Sequence, residues 1–142
     1  LLSRSKVGQY ITLIAGVFEP ESSVLELCDA GHGICMIRKG SQYPEWLRIE
    51  GSVPRGVAAS VRYSAVRIDV DQPMRLVLVS DGVVEQTGAT GEQFGIERTL
   101  ETLGPASGSE EEVRGLVDAV KAYADGPLSD DLSVASIDFR TS

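Results

Sequence analysis

The sequence has little cysteine, no long apolar run and a shortage of basic residues. Cys28 and Cys35 are too few for a disulfide framework, so a reduced, cytoplasmic compartment is the simpler interpretation. No apolar stretch approaches the roughly 20 residues that cross a bilayer. The 13 Lys and Arg residues against 21 Asp and Glu give a net charge of −8. Because nucleic acids and anionic membranes attract basic surfaces, we expect a protein, a cation or a small molecule as partner instead.

The chain length fits one domain. A chain of 142 residues can bury a substantial core. It begins at Leu1 without an initiator methionine and shows no signal peptide, so we expect a processed or excised segment whose native amino terminus lies upstream.

The first half of the sequence predicts β-structure. Its segments are rich in β-branched and aromatic residues and are separated by Gly, Pro and Ser turns. We expect the first three strands to form an antiparallel meander. Residues 40–59 should be loop-like, with a short edge strand near Trp46. The strand ending at Ser80 is apolar on both faces and should be central. The predicted strands are 10–19, 24–27, 34–38, 63–70 and 74–80.

The second half predicts two helices and a closing strand at 132–139. Apolar residues recur at helical spacing in 94–103 and 109–124, and Ser109 with Glu112 matches a capping box. The predicted core-facing residues of the longer helix are Val113, Leu116, Val117, Val120 and Ala124. Strands followed by helices and one last strand predict an α+β fold with mainly antiparallel pairing.

Two acidic signals stand where buried strands meet loops. Asp81 follows the apolar run 76–79 and precedes Gly82, and Asp130 with Asp131 precedes the last strand. If those strands are neighbours, the carboxylates converge and repel each other unless a cation lies between them. The alternative is ordinary turn chemistry, because Asp-Gly and Asp-Asp pairs are also common in solvated loops.

A zinc site is a further alternative. His32, the only histidine, lies between Cys28 and Cys35 in the sequence. Structural zinc requires four ligands at a recognised spacing, and these three residues lie on a predicted hairpin without a fourth. The simpler interpretation is that His32 is a turn residue whose ring forms a hydrogen bond with a neighbouring loop.

Taken in order, the motifs of this chain resemble the second half of the SpoIIE and RsbU type of metal-dependent serine/threonine phosphatase, a branch of the protein phosphatase 2C superfamily. The resemblance covers nearly all 142 residues and rests on the ordered set of motifs. These motifs are Tyr10-Ile11-Thr12-Leu13 with Gly16-Val17, Asp29-Ala30-Gly31-His32, Pro54-Arg55-Gly56, Ser80-Asp81-Gly82-Val83-Val84-Glu85, Phe94-Gly95-Ile96-Glu97-Arg98 and Ser129-Asp130-Asp131-Leu132-Ser133-Val134.

The resemblance implies an antiparallel β-sandwich flanked by helices, with Mn²⁺ or Mg²⁺ ions at one edge. Asp81 and Asp130 take the positions of metal ligands. The implied activity is hydrolysis of phosphoserine or phosphothreonine on a regulatory protein such as an anti-sigma factor antagonist.

Departures from the family pattern define the rival hypothesis. Residues 1–8 supply neither the family's amino-terminal acids nor its Gly-His-Gly-like segment, and Gly31-His32-Gly33 stands instead in the position of the family's Asn-Ala-Gly-His turn. Residues 1–142 are therefore interpreted as the carboxy-terminal part of the domain, incomplete for catalysis alone. We expect unpaired sheet edges and possible self-association. The rival is a noncatalytic binding module with a degenerate phosphatase fold.

Overall fold

The computed structural model describes residues 10–49, 53–54, 61–104 and 108–140. The predicted motif residues Arg55 and Gly56 lie outside this part. The strands are β1 (Leu13–Glu19), β2 (Val24–Ala30), β3 (Cys35–Lys39), β4 (Glu45–Trp46), β5 (Ala65–Asp69), β6 (Met74–Val79) and β7 (Val134–Phe139). The helices are α1 (Asp81–Val84), α2 (Gly95–Leu103) and α3 (Ser109–Tyr123).

The chain divides into two compact units, of which the first contains β1, β2 and β5. These strands form an antiparallel sheet in the order β1-β2-β5. Leu25 pairs with Phe18 on one side and with Ile68 on the other, and both Leu25 and Ile68 are buried. The exposed Leu13 and Val17 lie on the outer strand β1.

The second unit contains an antiparallel sheet in the order β4-β3-β6-β7 and all three helices. Strand β6 lies between β3 and β7, which confirms its prediction as a central strand. One buried cluster joins the sheet to the helices, and burying such side chains is the main source of stability in a domain of this size. Its members are Met36, Val77, Val79, Val83, Phe94, Leu103, Leu116 and Val120.

Helix α3 has the predicted inner face with one unexpected member. Leu116 and Val120 are fully buried, and Val113 and Val117 are half-buried. The predicted capping box is wrong: Gly108 is the N-cap, no side-chain cap bond forms, and Ser109 is already helical. Glu112 instead turns inward and is buried.

The predicted α+β class with antiparallel sheets and few helices is confirmed. The predicted three-stranded meander is wrong, because β3 pairs with β4 and β6 and does not join β1 and β2. The chain turns between β2 and β3 where the buried Asp29 carboxylate accepts the backbone N–H groups of His32 (2.7 Å) and Gly33 (2.8 Å). Such side-chain bonds replace the ladder bonds of a tight hairpin.

Candidate metal-binding edge

The two acidic signals follow and precede strands that are paired. Val79, the last residue of β6, lies opposite Val134, the first residue of β7. Beyond this pair, the Ser80 N–H donates to the Ser133 carbonyl at 2.9 Å. The antiparallel ladder therefore continues past the strand ends and delivers both acidic segments to one edge of the sheet.

The Ser80 hydroxyl fastens this edge. Ser80 Oγ donates to the Asp131 carbonyl at 3.1 Å and accepts the Ser133 N–H at 3.0 Å. One side chain thus joins the residues on either side of Leu132, directly after the acidic pair. The sequence showed Ser80 only as part of a motif and gave no sign of this bridging role.

Gly82 brings the two segments into direct contact. A Cβ placed on Gly82 would lie 2.5 Å from the Asp131 carbonyl oxygen and 3.4 Å from Asp130 Cβ. The first distance is far inside van der Waals contact, so only glycine allows the backbone after Asp81 to approach this closely. Asp81 is the first residue of α1, and its segment therefore packs directly against the Asp130 segment.

The carboxylates of Asp81 and Asp130 are both exposed. Asp81 Oδ1 accepts the Gly82 N–H at 3.0 Å, and Asp130 Oδ1 accepts the Asp131 N–H at 2.8 Å. These local bonds orient each carboxylate while leaving it accessible to solvent. Carboxylate oxygens are the donors that Mg²⁺ and Mn²⁺ prefer, so the chemistry of this pair fits a hard cation.

A buried glutamine supports the loop in front of Asp130. Gln86 is 2% exposed, and its Oε1 accepts the Ser129 N–H at 3.0 Å. Its Nε2 donates to the Thr87 carbonyl at 3.0 Å. Sequence reasoning missed Gln86, because nothing in a linear pattern separates a buried glutamine from a solvated one.

The pair does not form a complete coordination sphere. Within 10–49, 53–54, 61–104 and 108–140, no group of three or more His, Cys, Asp and Glu side chains is placed to hold a metal ion. This also applies to the zinc alternative: Cys28, His32 and Cys35 are among the described residues, and they form no such group. The two acids alone would therefore supply only part of the oxygen set that a divalent cation takes.

Comparison with known proteins identifies the family. The chain matches the family described as Stage II sporulation protein E (SpoIIE) over residues 1–140, and it belongs to that family. No curated protein sequence matches the chain.

Solved structures share the fold at low sequence identity. The Mn-presoaked phosphatase domain of SpoIIE from Bacillus subtilis matches with TM-score 0.69 and 16% identity, over 92% of this chain and 57% of that chain. The RsbU and RsbW domains of a Mycobacterium tuberculosis protein match with TM-score 0.71 and 15% identity, over 92% and 36%. The Ser-Thr phosphatase MsPP from Mycobacterium smegmatis, solved with cacodylate, matches with TM-score 0.62 and 17% identity, over 89% and 61%.

These similarities show that the chain has the fold of phosphatase domains of the protein phosphatase 2C type. The chain spans between 36% and 61% of the length of these three structures. None of the helices in the described residues has the length and apolarity that crossing a membrane requires.

Proposed function

We propose that this chain is the carboxy-terminal part of a metal-dependent phosphoprotein phosphatase that hydrolyses phosphoserine or phosphothreonine on a regulatory protein. The observation that carries the proposal is the contact at Gly82, which packs the Asp81 segment against Asp130 and Asp131. Membership of the SpoIIE family supports the same conclusion from the sequence side.

Asp81 and Asp130 would hold a Mn²⁺ or Mg²⁺ ion. When bound, such a cation supplies a nucleophilic water near neutral pH and neutralises charge on the phosphoryl oxygens. Ser80 and Gly82 act indirectly, since the first bonds the Asp131 carbonyl and the second removes the side chain that would separate the segments. The Mn-presoaked structure of the similar Bacillus subtilis domain supports manganese as the first cation to test.

The substrate class follows from the family resemblance and the charge of the chain. A net charge of −8 disfavours polyanionic macromolecules as substrates and is compatible with a folded phosphoprotein. We propose a cytoplasmic anti-sigma factor antagonist, phosphorylated on serine or threonine, as the partner. The resemblance of the motifs to the RsbU type of phosphatase supports this class of partner.

A noncatalytic binding module is the second candidate. It is favoured by the small donor set, since no group of three or more metal-ligating side chains among the described residues is placed to hold an ion. The upstream part of the parent reading frame discriminates between the two functions. An Asp followed by a Gly-His-Gly-like turn there favours the enzyme, and an intact frame without such acids favours the module.

The decisive experiment is a phosphatase assay of the full-length gene product with Mn²⁺ and a panel of phosphorylated antagonist proteins. We expect metal-dependent phosphate release that falls at least about 100-fold in Asp81→Asn and Asp130→Asn. Asp71→Asn is the matched control, because Asp71 is an exposed acid in the turn before β6. Absence of metal-dependent turnover, or equal loss in all three variants, would remove the enzyme proposal.

A further inference from the structure

A cavity of about 220 Å³ lies at the end of the second sheet opposite to Asp81. Its walls come from β3, β6, β7 and the residues next to them. Asp81 follows the last residue of β6, whereas the cavity is lined by its first two residues, Met74 and Arg75. Since a strand of this length spans about 17 Å, the cavity is separate from the metal-binding edge. The lining residues are Arg38, Gly40, Pro73, Met74, Arg75, Asp138, Phe139 and Arg140.

Charged residues face one another across the strands at this end. Arg38 on β3 pairs with Arg75 on β6, and Arg75 pairs with Asp138 on β7. Two arginines directly opposite each other repel. Glu112 from α3 offsets this repulsion, since its Oε1 accepts from Arg38 Nη2 at 2.8 Å and its Oε2 from Arg75 Nη1 at 3.4 Å.

Two nitrogens of the Arg38 guanidinium donate no hydrogen bond to the described residues. It is 5% exposed, and its Nη2 serves Glu112 and the carbonyls of Leu103 (2.8 Å) and Gly104 (2.7 Å). Its Nε and Nη1 are buried without a hydrogen-bond partner among the described residues. These two nitrogens carry three of the five N–H groups of an arginine. Leaving charged donors buried and unpaired is costly, so they call for an acceptor.

The charge around the cavity favours an anion as that acceptor. Among the described residues, Arg38, Arg75 and Arg140 line it together with one carboxylate, Asp138. The hydrogen bond from Arg75 lowers the pKa of Asp138, which is therefore ionised at neutral pH. With the buried Glu112 included, these residues carry three positive and two negative charges, so one positive charge is not balanced by them. A positively charged cavity lining differs from the net charge of −8 of the whole chain.

We propose that this cavity binds a small oxyanion of the size of inorganic phosphate or sulfate. Its volume lies below the range of about 300–1,000 Å³ typical of sites for larger organic ligands. Guanidinium groups match the oxygen geometry of phosphate and sulfate, with charge-assisted hydrogen bonds. The site does not depend on the proposed phosphatase activity.

The test is calorimetric titration of the full chain with inorganic phosphate, and separately with sulfate, in the presence of a chelator and at constant ionic strength set by NaCl. The chelator removes divalent cations, so phosphate cannot bind through a metal at Asp81. We expect binding of both ions. Arg140→Gln should weaken binding about three- to fivefold, since Arg140 is exposed and partly screened. Arg38→Lys, checked for folding by circular dichroism, should weaken it about tenfold or more.

Two matched variants complete the test. Arg62→Gln removes an exposed arginine outside the cavity and should leave the affinity unchanged. Asp81→Asn should also leave it unchanged, because that residue lies at the other end of β6. No binding at millimolar phosphate or sulfate would show that water alone fills the cavity and would overturn the proposal. Equal affinities in Arg140→Gln and the parent, or loss of binding in Asp81→Asn, would place the anion elsewhere and overturn it as well.

Discussion

Replacing Glu112 by alanine tests the buried charge network most sharply. The Glu112 side chain is 1% exposed and accepts from Arg38 at 2.8 Å, Arg75 at 3.4 Å and Ser136 Oγ at 3.1 Å. Its removal leaves the arginines facing each other across β3 and β6 without this carboxylate. Breaking a buried ion pair from one side costs about 3–5 kcal/mol. That is a large part of the roughly 5–15 kcal/mol by which a domain is stable.

The measurement is urea unfolding at neutral pH, followed by circular dichroism and extrapolated linearly to water. Glu111→Ala is the matched control, since Glu111 is exposed one position earlier on the same helix turn. Both variants gain the higher helix propensity of alanine, which contributes at most about 0.5 kcal/mol. We expect the control to stay within about 0.5 kcal/mol of the parent. A loss below about 1 kcal/mol in Glu112→Ala would refute the view that this carboxylate compensates the two arginines.

Outcomes for four further variants follow from the packing and the charges. Leu116→Ala should lower the free energy of unfolding by about 2–5 kcal/mol, because Leu116 is fully buried in the core of the second unit; a change within 0.5 kcal/mol by urea titration, a threshold of about the size seen at surface sites, would contradict this. Gly82→Ala should destabilise the chain, since its Cβ would lie 2.5 Å from the Asp131 carbonyl. Gly115→Ala, whose Cβ meets nothing within 4 Å, should instead stabilise α3 by about 0.5–1 kcal/mol in the same titration. The Arg75 hydrogen bond lowers the pKa of Asp138 below its usual 3.8. The stability that this bond contributes is therefore complete above that value and is lost as pH falls through the lowered pKa. The stability of Asp138→Asn, measured by unfolding at acid pH, should therefore lack this pH dependence. The same loss of stability with falling pH in variant and parent would refute the prediction.

Local patterns were sufficient to predict most elements. The predicted helix 109–124 is observed as Ser109–Tyr123, and the predicted strand 74–80 as Met74–Val79. The helix has a strong apolar period and the strand is a continuous apolar run, and both signals depend on neighbouring residues alone. Their ends shift by one residue, as expected where caps and turns decide the boundary.

Long-range partners could not be predicted in this way. Strand β3 follows β2 closely in sequence and yet pairs with β6, because the choice of sheet depends on packing that no short segment encodes. Glu112 matched a capping box in the sequence, but its partner Arg38 lies 74 positions away and draws it inward. The buried charge network was invisible for this reason.

The residues of the candidate site could be predicted from local patterns, but the contacts between them could not. The acids Asp81 and Asp130 were recognisable because each stands at the end of an apolar strand. The contact that joins their segments depends on Gly82 packing against a carbonyl 49 positions away, and on the hydroxyl of Ser80. Their role as metal ligands remains a prediction.

Thermal melts with Mn²⁺ test the metal-binding edge most directly. A cation that binds only the folded chain stabilises it by about RT ln(1 + [L]/Kd), or roughly 1.4 kcal/mol when free metal is ten times Kd. We expect millimolar Mn²⁺ to raise the melting temperature of the parent and of Asp71→Asn. Asp81→Asn and Asp130→Asn should lose most of this shift, and Asp131→Asn should lose less. The same Mn²⁺ shift in all four variants would show non-specific binding to an acidic surface and would contradict the assignment of Asp81 and Asp130 as the metal site.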